Sequence, residues 1–281
     1  MSSRWPRRNV LCRLGALALA LAGVLAKPEP ARAGSEWVDV ELVLAVDVSW
    51  SMDLDEQRLQ REGYVAAFND PDVIAAIEGG LHGRIAVTYF EWAGTGLQSV
   101  VAPWTLIEDA GDARAFSEAL AGAYPARMRR TSISGAIATG TAMFEGNGYR
   151  GLRKVIDISG DGPNNMGEPV LVARDAAVSR GVVINGLPLI LKEPNPVYGI
   201  HDLDIYYEDC VIGGPGAFIV TVREPGEFIP AIRRKLILEI AGRPSPGAAP
   251  KPLRAQYVPG AGGARADCLI GEKLWRRQQI P

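Results

Sequence analysis

The chain has 281 residues, of which 47% are hydrophobic and 22% charged; these values predict a globular protein and exclude a disordered or collagen-like chain. The formal net charge is −2. The first 33 residues contain six Lys and Arg and one Glu, so the remainder carries 24 basic and 31 acidic residues, a net charge of −7. A nucleic-acid-binding protein normally carries the opposite sign, and we therefore expect no nucleic-acid partner.

Residues 1–33 have the three-part layout of a secretory signal peptide. A basic start precedes an apolar run from Leu14 to Leu25, and the small-x-small sequence Ala31-Arg32-Ala33 follows. The run is shorter than the roughly 20 residues of a membrane-spanning helix. We therefore expect cleavage near Ala33–Gly34, or alternatively near Ala26–Lys27, and no membrane span in the mature chain.

A cleaved signal peptide predicts a periplasmic or secreted protein. The export route is open, because Arg7-Arg8-Asn9-Val10-Leu11 loosely resembles a twin-arginine signal, with Val10 where Phe is more usual. Paired arginines are also common at the start of ordinary signal peptides.

Apolar periodicity predicts alternating strands and helices in the first half of the mature chain. In chain order these are strand Val40–Val46, helix Asp55–Phe68, short helix Asp72–Ile77, strand Arg84–Trp92 and edge strand Ser99–Thr105. The run from Val40 to Val46 is almost continuously apolar, which is typical of a buried parallel strand.

The alternation continues in the second half of the chain. The predicted elements are helices Asp112–Gly122 and Ser132–Phe144, strand Lys154–Ser159, helix Glu168–Arg180, strand Val182–Leu189 and helix Glu227–Ile240. This order predicts an α/β fold with a doubly wound, mostly parallel central sheet flanked by helices. Such sheets bind ligands beyond the carboxyl ends of their strands, here after Val46, Phe90 and Ser159.

Residues 34–242 thus form the predicted domain, and residues 243–281 form a tail whose first part is rich in Pro, Gly and Ala. Apart from Cys12 in the signal segment, the cysteines are Cys210 and Cys268. In an oxidising compartment they predict one disulfide that ties the tail to the domain; two unpaired thiols are the alternative. Two histidines and no CxxC sequence argue against a zinc site.

Oxygen-bearing side chains follow three of the predicted elements. Asp47, Ser49 and Ser51 come directly after the first strand, at positions i, i+2 and i+4. Thr131 precedes a helix, and Asp161 lies between Gly160 and Gly162, which we expect to permit a sharp turn. Oxygen ligands suit a hard cation such as Mg²⁺, Mn²⁺ or Ca²⁺.

Each of these residues also has a simpler interpretation. Asp47, Ser49 and Ser51 could satisfy backbone groups of their own loop. Thr131 could cap the following helix, although Ser132 could serve there instead. Trp50, between the two serines, is either an aromatic anchor for a partner or a ring packed beneath the loop.

At Asp47, Ser49, Ser51, Thr131 and Asp161-Gly162 the chain resembles the von Willebrand factor A family, over about Val40 to Ile240. All positions of that family's metal-ion-dependent adhesion site are filled, in order. The resemblance implies a Rossmann-like fold and direct metal ligation by Ser49 and Ser51. It implies that Thr131 joins them in the ligand-bound form, and that Asp47 and Asp161 act largely through water.

The same resemblance implies a partner protein whose Asp or Glu completes the coordination of Mg²⁺, with Mn²⁺ or Ca²⁺ as alternatives. The sequences Cys210–Phe218 and Arg234-Lys235-Leu236 are similar to those of exported bacterial proteins of this type with no described function. The predicted function is therefore an exported, metal-dependent protein-binding module rather than an enzyme.

Two alternatives to this function are open. One is a magnesium-dependent phosphatase-like hydrolase with Asp47 as nucleophile; such phosphatases normally carry DxD, and here Ser49 replaces the second acid. The other is a structural domain with a vestigial metal site. The chain has no GxxxxGK[ST] or GxSxG sequence, and its GxGxxG match at Gly146–Gly151 lies between a helix and a strand, the reverse of a dinucleotide-binding site.

Overall fold

The computed structural model describes residues 35–123, 127–242 and 265–278. The predicted signal peptide lies outside them. A five-stranded sheet has the order β3-β2-β1-β4-β5. Its strands are β1 Glu36–Asp47, β2 Ile85–Trp92, β3 Gln98–Ile107, β4 Tyr149–Gly160 and β5 Val182–Pro188. All neighbours pair in parallel except β2 and β3, and the predicted doubly wound, mostly parallel sheet is confirmed.

Eight α-helices are described. They are α1 Leu54–Phe68, α2 Pro71–Glu78, α3 Ala110–Ala121, α4 Ile133–Met143, α5 Val170–Ser179, α6 Leu203–Tyr206, α7 Phe228–Ala241 and α8 Ile270–Arg277. The six predicted helices match α1–α5 and α7 to within two residues. Strands β1 and β4 begin four and five residues earlier than predicted, because their pairing continues through the polar positions around Glu36 and Tyr149.

The central strand β1 is buried on both faces and separates two hydrophobic layers. Val40, Leu42 and Leu44 pack on one side, against a cluster that includes residues of α1, α2, α3 and α7. Val43 and Ala45 face the other side, towards α4, α5 and residues 203–211. Because successive strand side chains alternate between faces, one continuous apolar run supplies both layers.

A charged cluster lies inside the protein where α7 crosses the sheet. The Lys235 ammonium group pairs with Asp157 at 2.8 Å and with Glu239, and all three side chains are almost fully buried. Asn185 donates a hydrogen bond to Glu239 at 3.0 Å. Burial raises the pKa of Glu239 to about 7, against the opposing charge of Lys235.

The predicted disulfide is present between Cys210 and Cys268, which are 58 residues apart. Cys210 lies in a π-helical turn, Tyr207–Val211, that continues from α6. Cys268 lies two residues before α8, a helix of the predicted tail that sequence reasoning did not mark, because eight residues give little periodicity. No described helix is long and apolar enough to cross a membrane.

Replacing Lys235 with Ala should leave two buried carboxylates without their cation and lower the free energy of unfolding by about 3–5 kcal/mol. Glu239→Gln should lower the free energy of unfolding by much less.

Because Glu239 binds its proton more tightly in the folded state, its contribution to stability falls as pH rises from 4.5 to about 7. Denaturant unfolding across this pH range should therefore show a flatter profile for Glu239→Gln; an unchanged profile would contradict the assignment.

Removing the disulfide should release α8 before it unfolds the domain, because Gly271 is the one buried residue of α8 and Ile270 packs against the core while partly exposed. We expect a Cys210→Ser/Cys268→Ser variant to lose about 2–4 kcal/mol. Hydrogen exchange should show protection lost first in residues 265–278. Equal loss throughout the sheet would contradict this order, and treating the wild type with reductant should reproduce the effect of the variant.

Candidate functional site

The structure brings together four of the five predicted metal ligands at the carboxyl ends of β1 and β4. The Ser49 amide donates to Asp47 Oδ1 at 2.7 Å. The Ser49 and Ser51 hydroxyl oxygens are 2.9 Å apart, and Ser51 Oγ donates to Asp161 Oδ1 at 2.6 Å. Two carboxylates and two hydroxyls thus form one continuous hydrogen-bonded group.

The register of the sheet explains this meeting. Val46 pairs with Ser159, so Asp47 ends β1 beside the point where β4 ends at Gly160. Beyond the strand, the Val48 amide donates to the Trp92 carbonyl and the Met128 amide donates to the Val48 carbonyl. The loop that carries the two serines is therefore held between the end of β2 and the segment that leads to Thr131.

Thr131, the fifth predicted ligand, is buried in that neighbouring segment. Its amide donates to Asn165 Oδ1 at 3.0 Å, and its carbonyl accepts from the Asn165 amide at 2.9 Å. Among the described residues, no hydrogen bond joins the Thr131 side chain to the other four. Ser132 caps α4 by accepting from the Gly135 amide at 3.2 Å, so the capping alternative falls to Ser132.

Asp47 is fully buried, and its Oδ2 accepts no hydrogen bond from any described residue. Burial raises the pKa of Asp47 well above its usual value, and the charge of Asp161 raises it further. Desolvation likewise raises the pKa of Asp161 to about 6. The Asp47 carboxylate is thus buried next to a second acid, and no positive charge of the described residues compensates its ionised form.

Gly160 has a second role beside the predicted turn, because it leaves space for neighbouring side chains. Neither Gly160 nor Gly162 has a positive φ. A Cβ at Gly160 would lie 2.8 Å from Asp47 Oδ2 and 2.9 Å from the Tyr207 hydroxyl, whereas a Cβ at Gly162 would meet nothing within 4 Å. Asp161 and Gly162 lie in a bend, as expected, and Gly160 in addition leaves space beside the buried carboxylate.

Sequence reasoning missed Tyr207 and Lys192. The Tyr207 hydroxyl is buried beside Asp47 and makes no hydrogen bond to a described residue; burial, followed by the charge of Asp47, raises its pKa. Lys192 donates to the Ser51 carbonyl at 2.6 Å and to Glu56 at 2.6 Å. No local pattern marks either residue, because both reach the site from distant segments. Asn165, in contrast, follows the Asp161-Gly162 sequence closely and could have been suspected.

The Trp50 ring is 52% exposed and does not pack beneath its loop. The Arg129 guanidinium lies 4.1 Å from the ring centroid and that of Arg127 lies 5.7 Å away. The structure thus places an aromatic side chain at the solvent-facing rim, where the anchoring alternative requires it.

The ligand chemistry of this group is unusual in that hydroxyls equal carboxylates in number. No cluster of three or more His, Cys, Asp and Glu side chains suited to a metal occurs in the described ranges. A site formed by two acids and two hydroxyls is not a cluster of this kind. Its ability to hold a cation depends on Oδ2 of Asp47 and on the serine hydroxyls.

Residues 37–244 match the model of a family described as "Protein of unknown function (DUF1194)". The chain belongs to this family. The sequence has no significant match among curated proteins.

Solved structures show the fold. Proximal thread matrix protein 1 from the mussel byssus, solved with a zinc-occupied MIDAS motif, is 15% identical with a TM-score of 0.53, covering 74% of this chain and 49% of its own. The pilus adhesin SpaC from Lactobacillus rhamnosus GG is 14% identical with a TM-score of 0.54, covering 72% and 30%. The chain thus spans at most about half the length of these proteins. Their shared fold is of the von Willebrand factor A type, which confirms the predicted fold.

Substituting Gly160 with Ala should push the added methyl group against Asp47 and Tyr207, whereas Gly162→Ala should be tolerated. We expect Gly160→Ala to lower the free energy of unfolding by about 1–3 kcal/mol, as overpacking of a buried site does. Chemical denaturation gives the free energy of unfolding of the two variants, which carry the same substitution at neighbouring glycines. Equal stability of both variants would show that the space beside Asp47 is not needed.

Proposed function

We propose that this protein is an exported, divalent-metal-binding module that holds a partner protein through a metal-ion-dependent adhesion site. The observation that carries the proposal is the buried Oδ2 of Asp47, which accepts no hydrogen bond from any residue that the structure describes. The von Willebrand factor A-like fold supports a protein-interaction module at the family level. The metal and the partner's carboxylate are the additions that we propose.

The proposed ligand set is Asp47, Ser49, Ser51, Thr131 and Asp161. Ser49 and Ser51 would bind the metal through their hydroxyls, and Thr131 would join them when a partner binds. Asp47 and Asp161 would supply negative charge, largely through water. Neutral hydroxyls leave a bound cation electrophilic, and an Asp or Glu of a partner is the ligand that such a cation attracts.

Magnesium is our preferred metal, with Mn²⁺ or Ca²⁺ as alternatives, because all the donor atoms are oxygens. Zinc occupies the MIDAS motif of the mussel protein in one structure, which supports divalent metal binding at such sites. Within the described part of the chain, the hydrogen-bonded group around Asp47 contains no histidine or cysteine.

The same proposal covers the organisation of the chain. We propose that residues 1–33 are a signal peptide, that residues 34–242 form the binding module, and that residues 243–281 form a tail attached by its disulfide. The mature protein would act in the periplasm or outside the cell.

We propose no catalytic role. A nucleophilic Asp47 would have to reach its substrate, yet its side chain is fully buried, and no second acid occupies the position of Ser49.

Isothermal titration of the purified protein with MgCl₂ and MnCl₂ tests the metal site. We expect saturable binding at one site, abolished by Asp47→Asn and unaffected by Asp55→Asn, which neutralises an exposed acid of α1. Affinity should rise between pH 5 and 7, because protons compete with the metal at Asp161, whose pKa is about 6. Binding that survives in Asp47→Asn would place the metal elsewhere.

A second measurement separates the adhesion module from a hydrolase. The wild-type protein with saturating Mg²⁺ should release no product from p-nitrophenyl phosphate above the rate of the Asp47→Asn variant. Turnover that depends on Asp47 would overturn the proposal in favour of the phosphatase alternative.

A further inference from the structure

Three arginines, Arg127, Arg129 and Arg130, lie within four residues directly before Thr131. No ion pair of the described residues involves any of them, although the chain outside the first 33 residues has an excess of seven acids. Arg127 and Arg129 are exposed and Arg130 is half-buried. Positive charge without an acidic partner is therefore concentrated beside the candidate site.

Two tryptophans fix the positions of these arginines. Arg129 lies 4.1 Å from the Trp50 ring centroid, and Arg127 also donates a hydrogen bond to the Trp50 carbonyl at 3.1 Å. Arg130 lies 4.0 Å from the ring centroid of Trp275 in α8. A guanidinium group above an aromatic face keeps its N–H groups at the edge available for hydrogen bonds.

The backbone at Arg130 adopts an unfavourable conformation that separates the side chains of Arg129 and Arg130. Arg130 has a φ of 71°, the one positive φ of a non-glycine residue among those described. Such a conformation costs about 1 kcal/mol, and it persists where the surroundings enforce it. Here the neighbouring backbone is fixed on both sides, by hydrogen bonds from the Gly94 amide to the Arg129 carbonyl and from the Ser132 amide to the Ala93 carbonyl. The consecutive side chains of Arg129 and Arg130 consequently contact different tryptophans.

The opposite side of the serine loop is electrostatically balanced. Lys192, which donates to the Ser51 carbonyl, pairs with Glu56 at 2.6 Å and lies 3.9 Å from Asp53. The uncompensated positive charge therefore lies on one side of the site, and a bound acidic chain would gain more by extending towards Arg129 than towards Lys192.

We propose that Trp50, Arg127, Arg129 and Arg130 form a basic face that binds an acidic segment of the partner protein. This inference rests on the proposed function: one carboxylate of the segment completes the metal site, and neighbouring acids pair with the arginines. Guanidinium groups bind carboxylates through paired, charge-assisted hydrogen bonds, and Trp50 provides an amphipathic contact. The partner is thus a segment with several acids rather than a single exposed Asp or Glu.

Fluorescence anisotropy with two labelled peptides tests this face. One peptide carries four consecutive glutamates, and the other carries one glutamate among three glutamines. In 50 mM salt with Mg²⁺, we expect the first to bind about tenfold more tightly, with the difference reduced in 300 mM salt. The double variant Arg127→Gln/Arg129→Gln should weaken the four-glutamate peptide about fivefold and leave the Mg²⁺ titration unchanged.

The chain offers a matched control at the other end of the sheet. Arg150 lies 5.1 Å from the centroid of the exposed Trp37 ring, and Arg180, an exposed arginine near the start of β5, lies 3.5 Å from the exposed Glu145. The variant Arg150→Gln/Arg180→Gln removes the same charge and should bind both peptides like the wild type. If both double variants lose affinity equally, the effect is due to net charge rather than to the basic face, and the proposal is overturned.

Two further results would overturn it. If Arg127→Gln/Arg129→Gln binds the four-glutamate peptide with unchanged affinity, the basic face does not bind acidic segments. The proposal for the metal site would not be affected by this result. Displacement of that peptide by an oligonucleotide of equal charge, at equal concentration, would show a general anion-binding surface instead of one for acidic peptides. Failure of the metal site itself is seen separately, as an absence of Mg²⁺ binding in the wild-type titration.

Discussion

The burial of the Asp47 carboxylate at the carboxyl end of β1 is the constraint on which the site depends. Strand β1 has neighbours on both sides, so its last side chain cannot reach water directly and must find its partners within the protein. The serine loop, Gly160 and Asp161 lie around this carboxylate, and one of its oxygens accepts no hydrogen bond from the residues described. The fold thus holds an acid whose charged form has no compensating cation among the described residues nearby, and a bound cation would stabilise that form.

The loops around this carboxylate are attached to one another by hydrogen bonds. The segment before Thr131 pairs with the serine loop through Met128 and with the loop after β4 through Asn165. Asn164 in turn donates to Glu272 of α8 at 2.8 Å and to the Glu168 carbonyl at 3.1 Å. These contacts form a connected series of hydrogen bonds that runs from the serine loop to α8.

The fold and most of the site were predictable because local signals determine them. Apolar runs with period two or 3.6 marked the strands and helices, and motif spacing marked Asp47, Ser49, Ser51 and Asp161, which the structure brings together. The rest depends on long-range packing. Tyr207 reaches the site from a π-helical turn, Gly160 is needed for space that no local pattern reveals, and the Thr131 side chain makes no hydrogen bond to the other four residues.

The Cys210–Cys268 disulfide has a consequence for how α8 meets the rim of the site. Through the backbone, α8 is joined to α7 by a stretch of 28 residues, whereas the crosslink places Cys268 two residues before its first turn against the core. Shortening a tether raises the effective concentration of the attached segment. The disulfide therefore raises the effective concentration of Trp275 beside Arg130 and Tyr198, and the position of α8 depends on the thiol chemistry of the compartment in which the chain folds.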